Sequence, residues 1–496
     1  MKITSCNLIP KRQNPTPDYY CTWQTQLYAT SDGKPEGQRA VIGERALFED
    51  KKPFGWAYFY SEAREDLFLV MDDSWDVPPD NDLSYCASLV LNKEKFPVCT
   101  GNASDNAGAL KELSGRVKAL GWKGLGGWVC AQESPRFKGE LSEEEYWIKR
   151  LKEAEQAGMS YWKVDWGNRG RNADFRRMLT RLGRKYAPRL VIEHAMTPEV
   201  IADADVFRTY DVPAVMSIPM TMEKIAALNS APRTNPGNMS LLNCEDEAYI
   251  AAAGGFSMGV MRHPYAGAFP NGKADMSFPA VHRNLKTKIT EVIRAARWHR
   301  IAPAFAFPGE LKISDKTLTD TWIFEKIDDE IEAWWLEHSA VRDCIDGGVL
   351  RKTAPAVIAR NIDLPAVTPD ENGLLPFTVA ARNPNGAVSV ATLGRTSGRK
   401  YYIPKCDVTL NAGNSLTIGV FGEYRKLIIR TDFQDIAQIL IQDIADSKAY
   451  DATEFILKNK NEIIIPGEII AKAGRSAQPP KDTSEPGAVI RLVVKE

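Results

Sequence analysis

Short apolar segments alternate with helical segments along the first part of this chain, and this alternation most constrains its fold. Between Trp23 and Met261 we predict eight strands separated by helices, beginning with a strand over 19–24. Helix 143–157 opens with the Ser-x-x-Glu form of a capping box at Ser142. Polar residues stand at the carboxyl ends of at least five strands. That count, spacing and polarity predict a (β/α)8 barrel of the α/β class.

A doubly wound sheet would also alternate, but it should carry a Gly-rich phosphate loop after an early strand. The glycines of 124–127 lie inside a predicted strand, so they are a weak dinucleotide signal. From about residue 309 the chain changes to short strands with Gly, Asn, Asp and Pro turns, which predicts an all-β sandwich. We therefore divide the chain into a catalytic barrel, 1–308, and a C-terminal β-sandwich domain, 309–496.

The composition argues against nucleic acid or a membrane as the main partner. Lys and Arg number 63 against 64 Asp and Glu, a formal net charge of -1. No segment has the roughly 18 apolar residues of a membrane span, and no signal-peptide pattern opens the chain. The expected location is cytoplasmic as written, or periplasmic or secreted if a leader has been removed.

Metal and cofactor motifs are sparse in the sequence. The eight cysteines are scattered without C-x-x-C spacing, and the five histidines form no ligand motif. We therefore predict no metal site and no cofactor. The 12 Trp and 16 Tyr supply flat amphipathic rings, which suit sugar faces as well as large cores.

The segment 161–166, Tyr-Trp-Lys-Val-Asp-Trp, is the strongest functional candidate. Lys163 and Asp165 stand two residues apart, so a strand places both side chains on one side. A neighbouring ammonium keeps a carboxylate ionised, as a nucleophile requires. A purely structural ion pair is the alternative. Asp72 and Asp73 follow the buried strand 67–71, where they either bind a ligand or are solvated loop acids.

Further polar and aromatic candidates end other predicted strands. Arg208 and Asp211 follow one strand, Glu193 ends another, and Trp128 lies in a third. Helix 245–253 is predicted to follow the short strand 239–243. No G-x-S-x-G nucleophile elbow occurs, although a Mg²⁺ site built from acids stays open. Two carboxylates in separate roles, with aromatic rings around them, are typical of glycosidases.

Motifs across residues 19–305 resemble the melibiase-like α-galactosidases, retaining glycoside hydrolases of the clan shared with α-N-acetylgalactosaminidases. The resemblance is carried in chain order by Trp23, Met71-Asp-Asp-Ser-Trp75, Phe96-Pro97 with the later Gly-Trp-Lys-Gly-Leu-Gly, Trp162-Lys-Val-Asp165 and Phe207-Arg-Thr-Tyr-Asp211. The family also has a C-terminal β-sandwich.

The resemblance implies catalytic roles for two aspartates. Asp165 corresponds to the nucleophile and Asp211 to the general acid/base. The remaining positions correspond to sugar-binding side chains: Trp23, Asp72, Asp73, Trp75, Lys163 and Arg208, to which we add Trp128 and Glu193. The implied substrate is an oligosaccharide or glycoside with a terminal α-galactosyl-type residue.

The match departs from the family at several positions. The family usually places the acid/base four residues after its arginine, whereas Asp211 follows Arg208 by three, which leaves Asp205 as a weaker alternative. Trp166 follows the nucleophile position where the family places other residues. α-N-Acetylgalactosaminidase and β-L-arabinopyranosidase activities would use the same kind of sugar pocket, so both stay open. Two further classes of protein stay open, a non-catalytic carbohydrate-binding barrel and a metal-dependent barrel isomerase or phosphohydrolase.

Overall fold

Eight parallel strands close into a barrel in the computed structural model of the chain. The structure describes residues 1–30, 35–209, 216–231, 238–265, 270, 283–323, 345–346, 349–459 and 461–495. The barrel strands are β1 Tyr19–Cys21, β2 Phe68–Met71, β3 Gly124–Val129, β4 Tyr161–Val164, β5 Val191–His194, β6 Val206–Arg208, β7 Leu241–Glu245 and β8 Ser257–Val260. Each strand pairs in parallel with the next, and β1 pairs with β8 to close the ring. The predicted (β/α)8 architecture is confirmed.

Both faces of these strands are buried, because successive side chains point alternately into the barrel and towards the helices. In β4, Tyr161 belongs to the small interior cluster with Tyr19 and Phe68. Its neighbours Trp162 and Val164 belong to the large core between barrel and helices. Lys163 therefore points into the barrel, on the side where Asp165 follows.

Helices surround the barrel strands. In the described part of residues 1–308 the α-helices are Trp23–Thr30, Pro35–Val41, Glu44–Phe48, Pro97–Gly101, Asn106–Ala119, Glu143–Ala157, Ala173–Tyr186, Ser217–Ala227, Ala248–Gly254 and Ile289–Ile301, and a 3-10 helix at Pro198–Asp203 lies between β5 and β6. The capping box predicted at Ser142 is confirmed, since its hydroxyl accepts from the Glu145 amide and the Glu145 carboxylate accepts from the Ser142 amide. No helix in the described part of the chain has the length and apolarity needed to cross a membrane.

Two predicted boundaries are wrong. The first strand ends at Cys21, and the residues from Trp23 onward form a helix. The strand predicted over 239–243 continues to Glu245, and the following helix begins only at Ala248. The second difference matters most for the site, because it places the Glu245 carboxylate at the carboxyl end of a barrel strand.

The C-terminal region is built mainly from β-sheets, as predicted. In spatial order, a nine-stranded sheet contains Lys2–Ile3, Tyr450–Asp451, Ile436–Asp443, Gly487–Val494, Thr417–Phe421, Val388–Leu393, Phe377–Arg382, Val357–Arg360 and Leu311–Ile313. A five-stranded sheet contains Ala366–Thr368, Asp407–Gly413, Lys426–Thr431, Glu462–Pro466 and Leu457–Asn459. Aliphatic residues of both sheets share one core. The helix Gly467–Ala473 interrupts the all-β pattern.

Smaller sheets complete this region. One joins Thr317–Ile323, Val349–Pro355 and Ile345–Asp346, and the other joins Arg395–Ser397 and Lys400–Tyr402. The strand predicted at 331–335 lies outside the described residues.

The last barrel helix, Ile289–Ile301, packs against the nine-stranded sheet. Arg294 forms a fully buried two-pronged ion pair with Asp443, at 2.8 and 2.9 Å. The Trp298 ring covers Gly419, where a Cβ would lie only 2.7 Å from the indole. Barrel and sandwich therefore share a close-packed interface with a charged pair inside it.

Candidate active site

The pairing register places polar side chains side by side at the carboxyl end of the barrel. Trp128 of β3 pairs with Lys163 of β4, and Lys163 pairs with Glu193 of β5. Farther round the ring, Arg208 of β6 pairs with Asn243 of β7. Side chains separated widely in sequence thus converge because neighbouring parallel strands end at the same level.

Asp165 lies at the centre of this group, directly after β4, and it is 9% exposed. Its amide donates to the Val129 carbonyl, which holds the chain beside the end of β3. The Trp128 indole donates to Oδ2 at 2.9 Å, and the Arg208 guanidinium forms an ion pair with Oδ1 at 2.9 Å. Both carboxylate oxygens are therefore held by side chains of other barrel strands, β3 and β6.

These contacts fix the charge of Asp165. Burial alone raises the pKa of a carboxyl group, but the charges of Arg208 and Lys163 and the hydrogen bond from Trp128 outweigh it, so the Asp165 pKa lies below its usual value. The result is an ionised carboxylate that is nearly shielded from solvent. This is the state that a carboxylate nucleophile needs.

Lys163 forms a second buried ion pair with Asp72, which follows β2. Lys163 Nζ lies 2.7 Å from Asp72 Oδ2, and the Cys21 thiol donates to the same oxygen at 2.8 Å. Burial lowers the pKa of a lysine, yet the Asp72 charge outweighs burial and raises the Lys163 pKa well above its ordinary value. Lys163 is therefore charged, and it stands between Asp72 and the Asp165 side of the site.

Asp73 points to a different partner from Asp72. Its Oδ2 lies 2.9 Å from Arg39 Nε, and its Oδ1 accepts from the Ser74 hydroxyl. Burial raises the Asp73 pKa despite the Arg39 charge. The two adjacent acids therefore sit in different environments.

Arg208 is surrounded by three carboxylates. Besides Asp165, Glu193 lies 3.8 Å from Nη1 and Glu245 lies 3.6 Å from Nε. Glu193 accepts hydrogen bonds from the Tyr161 hydroxyl at 2.8 Å and the Asn243 amide at 2.6 Å. Burial raises the Glu193 pKa, although the Arg208 charge opposes that rise. This arrangement fixes the guanidinium against Asp165.

Glu245 is a site residue that the sequence pattern did not reveal. Its carboxylate is buried at the end of β7, and among the described residues Oε2 has no hydrogen-bond partner. The predicted helix 245–253 places Glu245 in a first helical turn, where an acid has an ordinary capping role. A strand prediction extended through residue 245 would have revealed it.

The two predicted tryptophans of the sugar pocket differ in position. Trp23 is partly buried and packs against the interior cluster near Cys21 and Met261. Trp75 is only 1% exposed, and its indole donates to the Trp128 carbonyl at 2.9 Å. Trp75 is therefore as buried as Arg208 and packs against β3, and its place in a sugar pocket stays a prediction.

Of the two candidate acid/base residues, the structure describes only Asp205. Asp211 lies outside the described residues. Asp205 stands at the opposite, amino-terminal end of β6, where it accepts from the Ile192 amide and lies 3.8 Å from Arg184. This position separates Asp205 from the mouth and disfavours it as the acid.

Potential metal ligands do not cluster in the described part of the chain. No group of three or more His, Cys, Asp or Glu side chains in these ranges is arranged to hold a metal ion. The site that is seen consists of two cations and several carboxylates in direct contact. It can stabilise one ionised carboxylate and present charged groups to hydroxyls of a bound molecule.

Comparisons with known proteins find structural likeness at low sequence identity. No family model and no curated protein sequence matches this chain. A candidate α-N-acetylgalactosaminidase of Bacillus halodurans is 10% identical, with 99% of this chain and 100% of that chain covered and a TM-score of 0.40. A GH36 α-galactosidase of Geobacillus stearothermophilus is 13% identical, with 62% of this chain and 45% of that chain covered and a TM-score of 0.36.

An α-amylase of Anoxybacillus gives a similar result. It is 9% identical, with 98% of this chain and all of that chain covered and a TM-score of 0.41. The structural neighbours thus include α-galactosidase, α-N-acetylgalactosaminidase and α-amylase structures, at low similarity.

Proposed function

We propose that this protein is a retaining glycoside hydrolase that removes terminal α-galactosyl-type residues from oligosaccharides or glycoconjugates. The observation that carries the proposal is the Asp165 carboxylate at the end of β4. It is buried, ionised and held on both oxygens by Arg208 and Trp128. Such a carboxylate is suited to attack an anomeric carbon.

In the first step of the proposed reaction, Asp165 attacks the anomeric carbon and the bond to the leaving oxygen breaks. The leaving oxygen takes a proton from a carboxylic acid, a role that the family resemblance gives to Asp211. In the second step, the resulting carboxylate takes a proton from water, which displaces Asp165 from the sugar. Two inversions return the original anomeric configuration.

The neighbouring charges have separate roles in this proposal. Asp72 and Lys163 form a buried pair beside Asp165 and present groups that accept from and donate to sugar hydroxyls. Arg208 keeps the Asp165 carboxylate ionised. A substituent on the carbon next to the anomeric centre would meet this guanidinium, so the choice between galactosyl and N-acetylgalactosaminyl residues, which differ at that carbon, belongs to the same region.

The test is a panel of aryl glycosides assayed on wild type, Asp165→Ala and Asp211→Ala. The panel contains α-galactoside, α-N-acetylgalactosaminide, β-L-arabinopyranoside and α-glucoside. We expect one of the first three to be the best substrate and both variants to lose roughly 10³-fold or more in kcat. Asp174→Ala is the control, because that carboxylate is exposed on a helix.

Two results would overturn parts of the proposal. If neither substitution slowed cleavage of the best substrate, the site assignment would be wrong. If wild type bound galactosides but cleaved no glycoside, the protein would be a carbohydrate-binding barrel. The stereochemistry has its own test, since retention requires carboxyl groups of Asp165 and Asp211 roughly 5–5.5 Å apart.

A further inference from the structure

Trp166 is a large exposed aromatic side chain that directly follows the buried carboxylate of Asp165 in the chain. It is 37% exposed, whereas Asp165 is 9% exposed. Single exposed hydrophobic residues are common on protein surfaces and need no special explanation. The surroundings of Trp166 distinguish it from such a residue.

The backbone of Trp166 is held firmly. Its carbonyl accepts from the Ala131 amide at 2.8 Å, and the Ala131 carbonyl accepts from the Arg169 amide at 2.8 Å. Gly167 adopts φ +144°, and a Cβ there would lie 2.7 Å from the Ala131 carbonyl oxygen. Only glycine allows this close approach, so the backbone that carries the indole is held at the carboxyl end of the barrel.

The indole lies next to one side chain that holds Asp165 and one that holds Asp73. Its ring centroid lies 5.5 Å from that of Trp128, whose Nε1 holds Asp165. On another side, the Arg39 guanidinium lies 5.9 Å from the Trp166 ring centroid and pairs with Asp73. The ring thus lies between the side chains that contact Asp165 and Asp73.

Polar side chains lie close to Trp166 along the chain or in contact with its ring. Gln132 is partly buried and accepts from the Asn168 amide at 3.2 Å, and the Asn168 side chain is exposed. Arg39 is 17% exposed. A flat apolar ring beside a guanidinium matches the two kinds of surface on a pyranose ring, whose C–H face is apolar and whose rim carries hydroxyls.

We propose that Trp166 is the platform on which the leaving-group sugar of the substrate stacks. This inference rests on the proposed function, because the buried groups around Asp165 would hold the residue that is cleaved. The next sugar outward then passes the exposed ring. The substrate class is accordingly an oligosaccharide in which the galactosyl-type residue is attached to a second pyranose.

The experiment compares leaving groups of different size on wild type and Trp166→Ala. The substrates are an α-galactosyl disaccharide, an aryl α-galactoside and α-galactosyl fluoride, whose leaving group is too small to stack. We expect kcat/KM of the variant to fall roughly tenfold or more on the disaccharide and to change by less than about twofold on the fluoride. Trp166→Tyr should recover most of the disaccharide activity, because it restores a flat ring.

The remaining outcomes each have a defined meaning. An equal fall on disaccharide and fluoride would show that the ring only supports the Asp165 pocket, and no fall on either would show that it touches no substrate; both overturn this inference. A fall in kcat/KM confined to the aryl substrate would show that Trp166 stacks on an aromatic leaving group and not on a sugar, and would overturn the proposed substrate class. If wild type cleaved none of the three, the proposed function itself would fail. Phe455→Ala, an exposed aromatic change in the sandwich, is the matched control.

Discussion

Asp165 owes its low pKa to contacts that can be removed one at a time. Trp128→Phe keeps a large ring but deletes the indole hydrogen bond to Oδ2. Asp165 is active when ionised, so activity is lost as pH falls through its pKa. A hydrogen bond to a charged group contributes about 1.5–3 kcal/mol, so its loss should move the acidic limb of the kcat/KM profile upward by roughly 1–2 pH units.

The matched control for this change is Trp122→Phe. That indole is also buried, but it donates to the Ala57 carbonyl at the other end of β3. The acidic limb of the kcat/KM profile of Trp122→Phe should lie at the same pH as that of wild type. An unmoved limb in Trp128→Phe would show that Asp165 does not govern the acidic side of the profile.

Removing only one member of the Lys163–Asp72 pair should destabilise the folded protein strongly. Lys163→Met leaves the Asp72 carboxylate buried without its cation, which should lower the free energy of unfolding by about 3–5 kcal/mol. Adding Asp72→Asn should recover part of that loss, because the buried charge disappears. Urea unfolding measures the stability of the single and the double variant. The control is Lys312→Met, which breaks the exposed Lys312–Asp363 pair and should change the free energy of unfolding little. A large loss that Asp72→Asn failed to reduce would contradict the ion-pair explanation.

Individual site residues were predictable where a polar type stood out against a buried strand. Lys163, Asp165 and Arg208 fall in this class, and the structure brings them together. Glu245 was missed because an acid before an Ala-rich segment also fits the start of a helix, and only the pairing of β7 with its neighbours decides between the two. For Trp75 the sequence leaves the role open, because aromatic side chains serve cores and sugar pockets equally well.

At the scale of single elements, local signals gave reliable boundaries. The helix Glu143–Ala157 begins where its capping box predicted and ends at Gly158, which adopts the left-handed conformation. The helix Trp23–Thr30 carries few such signals and was predicted as a strand continuation. Its start depends on the end of β1 pairing, which is a tertiary property.

The capping box itself can be tested. Ser142→Ala removes the hydroxyl that accepts from the Glu145 amide, which should lower the free energy of unfolding by about 1 kcal/mol. Thermal unfolding followed by calorimetry is the measurement. Glu144→Ala, in the same turn but outside the box, is the comparison, and an equal loss there would contradict a specific capping effect.

At the scale of the whole molecule, the order of barrel and sandwich was predictable from the change in pattern. The pairing of Lys2–Ile3 with Tyr450–Asp451 was not, because two short strands from opposite ends of the chain carry no local sign of each other. The position of the boundary between the domains stays a prediction. The interface depends on long-range contacts that only the folded chain reveals.

Arg294 should couple the two domains. Arg294→Met leaves Asp443 buried without its cation and should lower the free energy of unfolding by about 3–5 kcal/mol. Glycoside hydrolysis below the unfolding transition should be unchanged, because this pair lies away from the Asp165 side of the barrel. Arg430→Met, at an exposed ion pair of the sandwich, is the control. Unchanged stability in Arg294→Met would contradict a coupling role.

The most direct test of the proposed mechanism asks which residue carries the sugar during turnover. A fluorinated α-galactosyl fluoride that forms the covalent intermediate faster than it is hydrolysed would be incubated with the wild-type protein. Peptide mass spectrometry then locates the adduct. We expect one glycosyl group on Asp165 and none on the Asp165→Ala variant. An adduct on a different residue, or turnover of the compound with inversion at the anomeric carbon, would contradict the mechanism.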